Sequence, residues 1–108
     1  MKQTVLVVGL GLIGGSIALA LQKSPNIRVI GFDVNENTLQ SAKVLGVVQD
    51  VTKQPEVAVK NVDILLFATP VNATIEWMEK LKDWDLPEKL IITDTGSTKS
   101  LIMEKHLS

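Results

Sequence analysis

The residues best placed to do chemistry stand close to the start of the chain. Gly9, Gly11 and Gly14 follow the apolar run Val5-Leu6-Val7-Val8 and precede Ile17-Ala18-Leu19-Ala20-Leu21, a strong helix former. A strand, a glycine turn and a helix start in that order form an anion cradle suited to the diphosphate of a dinucleotide. Gly9 permits a sharp exit from the strand. Gly11 removes the Cβ that would hold a diphosphate away from the backbone, and Gly14 lets the helix lie close on the strand. The amides near Leu12 and Ile13 are then unpaired at a helix N-terminus, where the macrodipole adds to their pull on a phosphate. The competing reading is a glycine-rich structural turn.

Asp33 closes the next apolar run, nineteen residues beyond Gly14. That spacing suits the acid that accepts hydrogen bonds from the adenosine ribose. Its carboxylate would repel a 2′-phosphate, and no Arg or Lys occurs between Val34 and Ala42 to offset the repulsion, so the expected cofactor is NAD rather than NADP. A turn or capping carboxylate is the alternative for Asp33.

Two further clusters fall at later strand ends. Ala68-Thr69-Pro70 offers small residues beside the crevice, with Pro70 able to start a helix because it needs no N–H. A plain strand-to-helix turn with Thr69 as cap accounts for the same residues. Thr93-Asp94-Thr95-Gly96-Ser97-Thr98-Lys99 lies on the same rim as the glycine turn. Gly96 permits close backbone approach and Ser97 offers a hydroxyl near the place of a nicotinamide, while Ser97 or Thr95 could equally cap the last helix. Trp77 and Trp84, seven residues apart on one helix face, are expected to pack rather than bind.

The elements that must hold these residues alternate. Strands are expected over 4–8, 27–32, around Val47, Val48 and Val51, over 63–68 and over 90–93. Helices are expected over 13–23, 35–45, 71–84 and 97–107, with a brief helical turn over 55–59. Asn35 is the expected cap of the second long helix and Gly46 its stop. Val71, Ile75, Met78 and Leu81 are expected to face the sheet. The alternation predicts an α/β, doubly wound parallel sheet of Rossmann type, strand order 3-2-1-4-5, with a ligand crevice between strands one and four.

Bulk properties narrow the class. The 108 residues suit one domain, 1–108, and the formal net charge is −1 with charges scattered along the chain. A nucleic-acid partner would need a clustered basic surface, so none is expected. No apolar run reaches the length of a membrane span, and nothing resembles a signal peptide. The absence of cysteine excludes disulfides and thiolate metal sites and is compatible with a reducing cytoplasm. The single histidine, His106, leaves no imidazole cluster for a metal, so no metal site is expected.

With Gly-Leu-Gly-Leu-Ile-Gly-Gly-Ser at 9–16 and Asp-Thr-Gly-Ser-Thr-Lys at 94–99, the chain resembles the nucleotide domain of the prephenate and arogenate dehydrogenases. The likeness runs over essentially the whole chain, including Ala68-Thr69-Pro70. It implies NAD-linked oxidative decarboxylation of prephenate to 4-hydroxyphenylpyruvate in tyrosine biosynthesis. In such enzymes hydride leaves the ring carbon bearing the hydroxyl, and carbon dioxide departs as the ring becomes aromatic. Ser97 matches the serine that contacts that hydroxyl.

The family's His-Pro motif does not occur here, since Leu107 follows His106. Nor is the helical second domain present, which carries most of the substrate pocket and the homodimer contacts in that family. The resemblance therefore implies a fragment, the cofactor part of a longer cytoplasmic enzyme whose substrate is a small molecule, inactive alone. A hydroxyacid or 6-phosphogluconate-like dehydrogenase is an alternative, and a non-catalytic NAD-sensing module is another.

Overall fold

The structure, a computed structural model, describes residues 2–95. Five strands, β1 (Gln3–Val8), β2 (Ile27–Phe32), β3 (Asp50–Val51), β4 (Ile64–Phe67) and β5 (Ile91–Asp94), form one sheet in the order β3-β2-β1-β4-β5. Every pairing is parallel. Four helices connect them: α1 (Leu12–Gln22), α2 (Glu36–Val44), α3 (Pro55–Ala58), which runs on into a 3-10 turn at Val59–Asn61, and α4 (Val71–Leu81). The expected Rossmann-type architecture and strand order are both present.

Side chains of a strand alternate between faces, so each strand feeds two cores. From β1, Val5 and Val7 join Ala18 of α1, Leu39 and Ala42 of α2, Val29 and Leu66 on one face. Leu6 and Val8 join Leu65, Phe67, Ile92 and the α4 residues Trp77, Met78 and Leu81 on the other. Helices cover both faces of the sheet. The central strands are accordingly apolar almost throughout, as expected of a buried parallel sheet.

The strand register matters most for function. Val8 stands level with Phe32 on one side and Phe67 on the other, and Phe67 stands level with Asp94. The next residue of each strand continues the ladder, with Gly9 N donating to Phe32 O, Ala68 N to Val8 O and Thr95 N to Phe67 O. The carboxyl ends of β1, β2, β4 and β5 therefore finish in one row.

Several expectations shift in detail. The third strand is only two residues long, because Val48 is buried in the core and the side chain of Gln49 occupies the ladder beside it. Gln49 Oε1 accepts from Val29 N at 2.8 Å, while Gln49 N donates to Val29 O. Asn35 does cap α2, its side chain accepting from Thr38 N at 3.1 Å, and Gly46 follows with φ 73°. The buried stripe of α4 is Thr74, Trp77, Met78 and Leu81; Val71 is exposed and Ile75 only half-buried. α4 ends at Leu81, so Trp84 lies beyond it, yet the two indoles do pack edge to face at 6.0 Å. The expected helix over 97–107 lies outside the described residues.

Candidate functional site

At the carboxyl ends of β1, β2 and β4 a crevice of about 410 Å³ opens. Its walls include Gly9 and Gly11 from the first turn, Asp33 and Val34 from the end of β2, and Ala68, Thr69 and Pro70 from the end of β4. Val34 apart, these are residues the sequence singled out, separated by up to 61 positions and brought together by the register just described. α4 supplies the remaining wall with Ala73, Glu76, Trp77 and Lys80.

The three glycines of the turn meet different surroundings. Gly9 has φ 98°, a left-handed conformation, and a Cβ there would sit 2.6 Å from Ala68 O. At Gly14 a Cβ would lie 1.8 Å from Gly9 O, so the helix reaches this close to the strand only without a side chain. A Cβ at Gly11 would meet nothing within 4 Å. No atom of the described residues requires a glycine at position 11, and the open space beside it belongs to the crevice.

Gly11 is also the N-cap of α1, with no side chain bonding the helix start. The first intrahelical donor is Gly15 N, which reaches Gly11 O at 2.8 Å. The amides of Leu12, Ile13 and Gly14 precede it and have no acceptor within the helix. The Leu12 and Ile13 side chains are exposed. Free main-chain donors, a helix N-terminus and no intervening Cβ together form a receptor for an anion.

Asp33 fastens this turn. Its Oδ2 accepts from Leu10 N at 2.8 Å and its Oδ1 accepts from Asn35 N at 2.8 Å. The reading of Asp33 as a turn carboxylate is thus correct as far as it goes. A carboxylate oxygen can accept more than one hydrogen bond, which leaves capacity for sugar hydroxyls in the crevice.

Thr69 does not cap α4. That helix starts at Val71 with Pro70 as its N-cap and no side-chain cap bond. The Thr69 hydroxyl instead lies 2.6 Å from the hydroxyl of Thr74. A hydroxyl that points along the helix to position 74 is not available to the free amides of the first turn.

On α4, four wall residues escaped the sequence reading of the crevice: Ala73, Glu76, Trp77 and Lys80. Trp77 packs as expected, against Phe32 at 5.6 Å and Phe67 at 6.4 Å, yet it also lines the crevice. Lys80 Nζ stands 4.6 Å from the centre of a Trp77 ring, a cation–π contact at the crevice wall. Their spacing of three and four along α4 was the available signal. Gly96 and Ser97 lie outside the described residues. Among the described residues no group of three or more acidic or histidine side chains could hold a metal, and no helix is long and apolar enough to cross a membrane.

Comparison with known proteins agrees with this geometry. Residues 17–107 match the family model described as prephenate dehydrogenase, nucleotide-binding domain. The prephenate dehydrogenase of Bacillus subtilis is 42% identical over 105 residues, a stretch covering 96% of this chain and 28% of that enzyme. The crystal structure of Synechocystis arogenate dehydrogenase superposes with a TM-score of 0.82 at 29% identity, covering 95% of this chain and 36% of that one. Prephenate dehydrogenase from A. aeolicus, solved with hydroxyphenyl propionate and NAD+, gives 0.81 at 29% identity, covering 97% and 37%. The chain therefore spans about a third of the length of these relatives. A strand row ending in bare amides, a carboxylate-pinned turn and a match over most of the sequence lead to one assignment: this chain belongs to the nucleotide-binding domain family of the prephenate dehydrogenases.

Proposed function

We propose that the chain binds NAD in the crevice between β1 and β4 and serves as the cofactor domain, residues 1–108, of an NAD-dependent prephenate or arogenate dehydrogenase. The observation that carries the reading is the open space at Gly11 beside unpaired helix amides, in a turn held by Asp33. The solved A. aeolicus relative, whose crystal contains NAD+, supports it.

In this reading the amides of Leu12, Ile13 and Gly14 hold the diphosphate. Asp33 accepts hydrogen bonds from the adenosine ribose while keeping its bonds to Leu10 and Asn35. Ala68, with no side chain beyond Cβ, lets the dinucleotide lie close to the end of β4, and Thr69 and Pro70 form the wall beside it. Gly96 admits the far half of the dinucleotide, and Ser97 contacts the hydroxyl of the substrate. Bound NAD supplies the hydride acceptor.

The activity of the whole enzyme is then oxidative decarboxylation, which removes hydride from the hydroxyl-bearing ring carbon of prephenate or arogenate and releases carbon dioxide. We place that enzyme in the cytoplasm, in tyrosine biosynthesis, as a homodimer joined through a helical C-terminal domain. No nucleic-acid or membrane partner enters the reading.

Isothermal calorimetry of this chain with NAD tests it. Saturable one-site binding that Gly11→Val abolishes is the expected result. Absence of binding by the unsubstituted chain, or full binding by the variant, overturns the proposal.

A further inference from the structure

Thr74 is the one buried polar side chain among the described residues, 1% exposed, on the inward stripe of α4. A buried hydroxyl is costly unless bonded, and valine would fill nearly the same volume without that cost. The helix does not require the hydroxyl, because Pro70 O already accepts Thr74 N at 2.9 Å. The shortest contact of this hydroxyl is to the hydroxyl of Thr69, whose oxygen is 2.6 Å away.

We propose that Thr74 is a positioning residue for dinucleotide binding, holding the crevice residue Thr69 in a single orientation. The inference rests on the NAD-binding reading. A threonine at a loop end has three staggered orientations available, and the Thr74 contact selects one of them. In that orientation the Thr69 methyl group lies against the first turn, 2.9 Å from where a Cβ of Gly9 would be. The two hydroxyls also share protons in a useful way. Thr74 has one proton and three acceptors in reach: Thr69 Oγ1 at 2.6 Å, Pro70 O at 3.1 Å and Thr69 O at 3.2 Å. When Thr74 donates to a carbonyl, Thr69 donates inward to Thr74. When Thr74 donates to Thr69, the Thr69 proton is released toward an acceptor oxygen of the dinucleotide. Thr74 thus fixes where the Thr69 oxygen sits while leaving its proton free to turn outward.

Calorimetry with NAD, paired with thermal melting, tests this on Thr74→Val, Thr69→Val and the double variant. Thr74→Val is expected to weaken binding about three- to tenfold, the loss of one hydrogen bond. In the Thr69→Val background it should weaken binding no further, although any change in melting temperature persists. Thr74→Ser and Thr74→Ala both lose the methyl group but differ in the hydroxyl, so Ser should bind several-fold more tightly than Ala. That pair decides the matter should Thr74→Val fail to fold. Equal affinities across the series, or an undiminished effect of Thr74→Val beside Val at position 69, overturn the inference alone. Failure of the unsubstituted chain to bind NAD overturns the functional reading and this inference with it.

Discussion

The carboxylate of Asp33 accepts a 2.8 Å hydrogen bond from the main-chain amide of Leu10, tying the end of β2 to the turn that follows β1. One side chain thereby joins two walls of the crevice. Because its partner is the turn itself, Asp33 has a role in shape, beside the recognition role proposed for it.

Replacing Asp33 with alanine should therefore change two quantities at once. The part-buried Leu10 amide loses its acceptor, which costs about 1–3 kcal/mol of stability and lowers the melting temperature. The unsubstituted chain should bind NAD more tightly than NADP by roughly tenfold or more, about 1.4 kcal/mol. Asp33→Ala should narrow that ratio. Calorimetry giving equal affinities for the two cofactors in the unsubstituted chain would contradict the recognition role.

Gly11 and Gly14 should respond in opposite ways. Gly11→Val places its side chain in open space, so the fold survives with only the modest loss of a favourable N-cap residue, while NAD binding disappears. Gly14→Ala drives a Cβ into Gly9 O and should destabilise the domain by about 1–3 kcal/mol or more. Circular-dichroism melts of both variants, beside NAD titrations, separate the effects. A Gly14→Ala variant as stable as the parent would refute the close helix–strand contact.

The two tryptophans provide an internal optical test. Trp77 lines the crevice and Trp84 stands behind it, in contact at 6.0 Å. NAD binding should alter the tryptophan emission of the chain. Trp84→Phe should keep most of the ligand-dependent change, whereas Trp77→Phe should lose it. A signal that followed Trp84 instead would move the ligand away from α4.

Among the described residues β5 pairs with β4 alone, and Ile91 on it is 58% exposed. An apolar strand with one unpaired edge favours association with another chain. The 108-residue chain should show concentration-dependent self-association in sedimentation velocity, reduced by Ile91→Lys. A clean monomer at high concentration would rule this out.

The sequence by itself determined which residues could do the chemistry. Gly9, Gly11 and Gly14 are legible because backbone freedom and the absence of Cβ are properties of the residue type. The βα alternation is legible because burial on both faces leaves strands apolar throughout, while helices follow a period of 3.6. Asn35 and Gly46 mark the ends of α2 through capping chemistry that acts over a few residues. Such signals are local, and local energetics suffice to write them.

What only the tertiary structure decided lies in long-range pairing. The level row of Val8, Phe32, Phe67 and Asp94 brings Gly9, Asp33 and Ala68 to one rim, and ladder register between distant segments sets that row. Apolar periodicity misplaced the face of α4, selecting Val71 and Ile75, because Thr74 is polar by type. Its burial depends on partners, Thr69 and Pro70, that position it only once β4 and α4 are joined. The hold of Asp33 on the first turn has the same origin, since a residue type can announce a carboxylate but not which amide, twenty-three positions away, it will hold.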